Sequence, residues 1–414
     1  MKVRNTKAET NHSPEIRTKG WFIISSLASG HAVFHWLSQS SVVVFPEIQS
    51  TFNLSGIGVG VILAVQQLAS GLVFLPGGIL ADILRNRWNI FLPVCIALFS
   101  LGTLMMGTAP LFHILLAGMG VVAISHSLWH LPASASLSSR FPKNRGAVLS
   151  LHGVGGSIGD VAGPIATGLL LALLSWRGIL NLYAVLAIIS CFLAFWSFKN
   201  IADTGTNGTL INRRDVTLLL LKHRVLWAIT LVKGLRGMAL IALFAILPLY
   251  FDSDIGLSPN SRGLHIGLLI AAGITTKPIV GQLSDSLGRK QVLVPCLILS
   301  AIASLLLLTS VQGMLLTLTI IFLGLFLYPD QPIVTVTTLE MVDENVASTA
   351  LGLSNSASCV LSSLSPLIAG ILYEFIGMDA AVYYLSGLFI AAAIVFSVIP
   401  LDGSKPSSQI RQGL

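Results

Sequence analysis

His31, His35 and Gln39 recur at intervals of four residues, and His126 and His130 repeat that interval further along the chain. Four-residue spacing puts side chains on one helix face, so each group forms a stripe. Imidazole titrates near pH 6.5, which suits it to carry a proton. Two His-x-x-x-His pairs also offer four nitrogens, a set that zinc or copper accepts. His152 and Asp160 follow, Asp160 inside the glycine-dense run Gly155-Gly-Ser-Ile-Gly-Asp-Val-Ala-Gly163. The second half of the chain holds permanent bases instead. Lys233 and Arg236 stand at i, i+3, Lys277 comes later, and Asp330 and Gln331 lie within Tyr328-Pro-Asp-Gln-Pro332. Three bases against one acid leave that region positive, and the planar fork of Arg236 suits a carboxylate or phosphonate.

Each group also has a structural reading. A lone buried histidine more often satisfies a neighbouring helix, and Lys233, Arg236 and Lys277 could form ion pairs with Asp330. Two stripes together with His152 favour a shared cavity. Asp160 is the only carboxylate within the first half's apolar segments, and that scarcity favours proton carriage over a metal; no metal site is expected.

The scaffold for these groups is apolar. Of 414 residues, 54% are hydrophobic and 10% charged, with mean hydropathy +0.84, whereas soluble proteins carry about 25% charged residues. At about 20 apolar residues per bilayer crossing, little chain is left for a soluble catalytic domain. Apolar segments fall at 21–46, 55–80, 88–108, 110–139, 146–173, 176–198, 225–251, 262–284, 291–311, 313–338, 347–373 and 378–400. They predict an all-α integral membrane protein of twelve transmembrane helices. Basic residues precede the first segment as in a signal peptide, yet its length and two histidines mark a retained helix. Cys95, Cys191, Cys296 and Cys359 sit singly in apolar runs and imply no disulfides.

The domain reading follows: a tail at 1–20, a six-helix half at 21–198, a polar linker at 199–224, a second half at 225–400 and a tail at 401–414. Of 24 Lys and Arg residues, only Arg177 and Arg262 fall in loops on the face opposite the tails. The positive-inside rule then places both termini in the cytoplasm, and the net charge of +7 reports orientation rather than a nucleic-acid partner. Pro46 and Pro248, Pro93 and Pro295, Pro164 and Pro366, and Gly168 and Gly370 are each 202 positions apart, as are His31 and Lys233. Halves with even numbers of spans share one orientation, so they read as parallel repeats.

Gly281-Gln-Leu-Ser-Asp285-Ser-Leu-Gly288-Arg289-Lys290 closely resembles the G-x-L-x-D-x-x-G-R-K loop of the major facilitator superfamily. Gly78-Ile-Leu-Ala-Asp82-Ile-Leu-Arg85-Asn-Arg87 looks like its first-half partner, with Arg85 in place of the second glycine. The resemblance implies that both loops latch one conformation. It also implies that the first, fourth, seventh and tenth helices line a central cavity, and those four carry most of the polar residues above. A narrower likeness, in Leu128-Trp-His130-Leu-Pro132, Arg145-Gly-Ala-Val-Leu-Ser-Leu-His152 and Gly159-Asp160-Val-Ala-Gly163-Pro164, is to the fosmidomycin-resistance branch. That branch consists of proton-linked exporters of an anionic phosphonate.

The basic loop Arg140, Lys143 and Arg145 and the acidic loop Glu340, Asp343 and Glu344 hold equivalent places in the two halves. They read as an inner gate whose charges meet when the transporter faces outward. The expected function is secondary transport by alternating access in a bacterial inner membrane, with one chain as the functional unit and no cofactor beyond the proton gradient. The resemblance points to export of a small organic anion or drug. Uptake of an organic anion, a histidine-liganded metal transporter and a membrane metal enzyme are the alternatives. No P-loop is present, so ATP would have to act through another subunit.

Overall fold

The computed structural model describes residues 16–201, 213–309, 312–342 and 346–401. They are helical throughout. The first set comprises α1 (Gly20–Val43), α2 (Phe45–Phe52), α3 (Gly56–Ile83), α4 (Trp88–Thr108), α5 (Phe112–Arg140), α6 (Arg145–Leu170) and α7 (Trp176–Ser197). A short α8 (Arg213–Leu221) precedes the second set. That set comprises α9 (Arg224–Leu249), α10 (Pro259–Leu287), α11 (Arg289–Leu306), α12 (Gly313–Leu327), α13 (Asp330–Glu340), α14 (Ala347–Ser362), α15 (Ser365–Phe375) and α16 (Met378–Val398).

Local chemistry explains the starts. Ser175 accepts from the Gly178 amide (3.2 Å), and Ser258 accepts from the Ser261 amide (3.3 Å) with Pro259 in the first turn. Tyr328-Pro329 separates α12 from α13, the break expected of prolines at that depth. A second break, between α14 and α15 at Ser363-Leu364, divides what the apolar pattern reads as one segment.

Among the described residues, ten helices are long and apolar enough to cross a membrane. α1 and α6 are not among them, although they have 24 and 26 residues. These are the two helices that carry His31, His35, Gln39, His152 and Asp160, and polar side chains lower their hydropathy. They pack closely against each other. On the outside, Val185, Ile189, Phe192 and Trp196 expose an apolar stripe along α7, a surface that fits lipid rather than water.

The two sets meet along α6 with α10 and along α3 with α14 and α15. Near the end where α1 finishes, hereafter the distal end, the backbones nearly touch. A Cβ on Gly60 of α3 would strike the Pro366 carbonyl, and one on Gly263 of α10 would strike the Pro164 carbonyl. Only glycine permits that approach. Towards the opposite, proximal end, α6 and α10 part company: Leu151, Val154 and Ile158 of one and Pro278, Gln282 and Asp285 of the other, on the faces that continue the seam, are exposed. A Cβ on Gly153 or Gly281 would meet nothing within 4 Å. α3 and α14 stay in contact further along, with Ser356 Oγ donating to the Gly71 carbonyl.

Candidate binding site between the helix sets

The first set brings five imidazoles together at mid-helix. His31 stacks on His152 with ring centroids 4.2 Å apart and planes 7° from parallel. It also meets His35 edge-on at 4.4 Å and His130 at 5.0 Å. His126 and His130 are joined through their Nε2 atoms at 2.9 Å. Helix spacing supplies the His31/His35 and His126/His130 pairs. Packing of α1 on α6 supplies His152, and Gly156 makes room for it: a Cβ there would come within 2.7 Å of the His31 ring.

The hydrogen bonds set the tautomers. His31 Nδ1 lies 2.9 Å from the His152 carbonyl oxygen, which can only accept, so Nδ1–H donates. His35 Nδ1–H likewise donates to Asp160 Oδ1 at 2.8 Å, with 22% and 14% of the two side chains exposed. Asp160 thus belongs to the cluster. Gln39, one turn on from His35, is half-buried.

The second set is organised around charge. Arg236 Nε donates to Asp330 Oδ2 at 2.7 Å, and Nη2 donates to the Leu327 carbonyl at 2.9 Å. Asp330 is 1% exposed, so this pair is sealed in the interior. The carbonyl at Leu327 is available because the helix breaks immediately after it. Arg236 is therefore occupied on two of its three nitrogens, which leaves it poorly placed for a two-pronged grip on a ligand. Lys233 Nζ donates to the amide oxygen of Asn355, and Lys277 Nζ lies 5.6 Å from the Tyr328 ring centroid. Among the described residues neither lysine is within ion-pair distance of a carboxylate. Lys277 lies on α10, which packs against α6, the helix that carries Asp160. Gln331 is exposed and takes no part in the Arg236–Asp330 pair.

The loop after α10 forms a compact clasp. Arg289 donates to Asp285, to Ser284 Oγ at 2.9 Å and to Glu340 Oε1 at 2.7 Å, while Lys290 Nζ donates to the Ser397 carbonyl at 2.9 Å. Glu340 is thus held within its own set. Arg140 donates to the Asn200 carbonyl at 2.8 Å, also within its own set, and Lys143 and Arg145 are exposed. Asp343, Glu344 and the side chain of Asp82 lie outside the described residues. In the first-set loop, Trp88 Nε1 donates to the Ala81 carbonyl at 2.8 Å, the Arg85 guanidinium lies 5.7 Å from the Trp88 ring, Arg87 is exposed, and Gly78 sits beside Leu131.

Sequence reasoning overlooks one further group. At the distal end Arg262, fully buried, donates to Asp252 Oδ1 at 2.6 Å within its set and to Glu47 of the first set. Burial raises the Glu47 carboxyl above the usual carboxylate range although the Arg262 guanidinium pulls it down. Tyr373 donates to Asp254, and Glu374 accepts from the Gly56 amide at 2.8 Å across the same seam. The signal was present: Arg262 is one of only two bases in the loops of that face.

Spanning helices, two sets sealed at one end and parted at the other, and polar clusters between them define a multi-pass membrane transporter rather than an enzyme. The Major Facilitator Superfamily profile matches residues 27–273 and 229–413, and the chain belongs to that family. Among curated proteins it is 22% identical over 277 residues to the fosmidomycin resistance protein of Escherichia coli K12, covering 66% of this chain and 67% of that one. It is also 22% identical over 271 residues to the nitrite extrusion protein of Bacillus subtilis 168, covering 65% of each. Among solved structures, a bacterial homologue of the human lysosomal transporter Spinster, in an inward-facing unoccupied conformation, superposes with a TM-score of 0.72 at 15% identity, covering 94% of this chain and 96% of that one.

Proposed function

We propose that the chain is a twelve-span secondary transporter of the bacterial inner membrane that exports a small organic anion in exchange for protons, by rocking two six-helix halves about the clusters at mid-depth. The observation that carries this reading is the seam. Glycine-to-carbonyl contacts close the distal end between α3 and α15 and between α10 and α6, while α6 and α10 diverge proximally. The two contacts are repeat equivalents, Pro164 and Pro366 standing 202 positions apart and Gly60 and Gly263 203 apart, as repeats rocking on one axis require. The excess of Lys and Arg on the proximal side makes that side cytoplasmic, so the present state is open inward.

In this reading Lys233 and Lys277 attract the anion, and Arg236, neutralised by Asp330, ties α9 to the α12–α13 break. The histidine cluster with Asp160 faces Lys277 and carries the coupling protons. The nitrite extrusion protein, a relative named for an anion and for outward movement, favours export. Clasped Arg289–Glu340 and the separate Arg140 fit an inner gate that is open here.

The test is proton movement in acid-inside vesicles containing the protein, read with a pH dye during addition of phosphonates, carboxylates, nitrite, sugars and cationic drugs. Anions alone are expected to dissipate the gradient, and less so with Lys277→Ala. Dissipation by sugars or cations but not anions overturns the anion assignment, and a gradient unmoved by any compound overturns proton coupling.

A further inference from the structure

The imidazoles of α1 are each committed on one side. His31 donates through Nδ1 to the His152 carbonyl and His35 through Nδ1 to Asp160, so in the neutral rings the lone pair resides on Nε2. Both Nε2 atoms are buried, and no protein group hydrogen-bonds to either. A buried acceptor without a donor loses the hydrogen bond it makes in water and regains none, and two side by side need a shared explanation. His31, His35 and His130 each offer a ring nitrogen, and those nitrogens all lie within 4.8 Å of one another.

A carbonyl or carboxylate behind the far nitrogen is the arrangement that surrounds metal-bound histidines, because it fixes the tautomer and makes the free nitrogen a better donor. Ligands at about 2.0–2.1 Å from one ion stand roughly 3.3–3.5 Å apart in a tetrahedron, a contraction that small side-chain rotations supply. His126, hydrogen-bonded to His130, stands next to the three as a fourth nitrogen. We propose that this cluster binds one divalent first-row transition-metal ion of the zinc type, with His31, His35 and His130 as ligands and Asp160 as a positioning residue. Imidazole donors select such ions over magnesium or calcium, which prefer oxygen. The shortage of carboxylates no longer counts against a metal, since Asp160 serves behind His35 rather than on the ion. The metal and the coupling protons of the transport reading would compete for the same nitrogens, so ion binding is expected to weaken as pH falls.

The full-length protein, purified in detergent and stripped with a chelator, is titrated with Co²⁺ while its visible absorption is recorded, and with Zn²⁺ in a calorimeter. One ion per chain is expected, with the intense bands of a four-coordinate Co²⁺ site. His31→Ala and His130→Ala should abolish those bands in protein that still elutes as a single species. Asp160→Asn should keep them while weakening affinity about 10–100-fold, and His113→Ala, at the exposed start of α5, should change nothing. Wild-type protein that takes up no stoichiometric ion overturns the proposal without reference to any variant. So does uptake that persists equally in His31→Ala and His130→Ala.

Discussion

His31 of α1 and Lys233 of α9 stand 202 positions apart, each within the body of its helix, yet they head two different kinds of cluster. The first set gathers five imidazoles and one carboxylate that keeps some exposure. The second pairs a guanidinium with a carboxylate that is 1% exposed and sets two ammonium groups elsewhere, on Asn355 and beside Tyr328. A guanidinium is charged at every relevant pH, so once buried it requires a permanent partner. Imidazole is charged or neutral according to its surroundings, and its free nitrogen can accept a proton, a hydrogen or a metal. The second set is therefore built for constancy, and the first is built for exchange.

The sharpest break of that comparison is at the buried pair. Removing one member of a buried ion pair costs about 3–5 kcal/mol because the other charge is left alone. Arg236→Ala and Asp330→Ala should each lower thermal stability in detergent by that order, and the double substitution Arg236→Met with Asp330→Leu should recover most of it. A loss below 1 kcal/mol in either single variant would mean that water reaches the pair and that the second set is not constant.

The seam offers the next largest effect. Gly60→Val and Gly263→Val drive side chains into the Pro366 and Pro164 carbonyls, and overpacking of this kind costs about 1–3 kcal/mol, which is a change of roughly 5- to 150-fold in the population of the closed seam. Labelling of a cysteine placed at the distal end by a membrane-impermeant thiol reagent should rise accordingly. Gly281→Val, at the open end of α10, should leave it unchanged. Equal labelling in all three variants would separate the glycine contacts from closure.

Asp160→Asn probes the exchangeable side. The amide can still accept from His35 Nδ1–H, so the bond passes from charged to neutral, a difference of about 1 kcal/mol. Thermal unfolding should show that modest loss. A loss as large as that of Asp330→Ala would place Asp160 among the permanent partners and blur the contrast between the sets.

Much of this contrast can be read from spacing. Four-residue intervals fixed the faces of His31, His35, His126 and His130, and Tyr328-Pro-Asp-Gln-Pro332 announced the break that frees the Leu327 carbonyl. Spacing could not reveal that His152 stacks on His31, because that depends on how closely Gly156 lets α6 approach α1. Nor could it choose between Arg236 as a ligand for an anion and Arg236 as the partner of Asp330, since both readings need the same residue types. The Glu47–Arg262–Asp252 group was hidden for another reason. Its members sit in short or terminal helical turns at the distal end, where charge usually means solvent, and only tertiary packing buries the arginine.

The two loops that follow α3 and α10 differ on a smaller scale, and here the departure from the family pattern has a local cause. Gly288 has φ +101°, a conformation in which a side chain is strained, and it lets the chain turn so that Arg289 can reach Asp285 and Glu340. The corresponding position in the first loop is Arg85, which opens a short 3-10 turn ending at Arg87, and Asn53 is the only non-glycine with positive φ among the described residues. A right-handed turn accepts any L-residue, so Arg85 carries no such strain. Gly288→Ala should cost about 1–2 kcal/mol and loosen the Arg289–Glu340 contact. Arg85→Gly should gain nothing from restoring the family residue. Thermal unfolding of both variants measures the difference directly, and an equal response would show that the two loops close by the same turn after all.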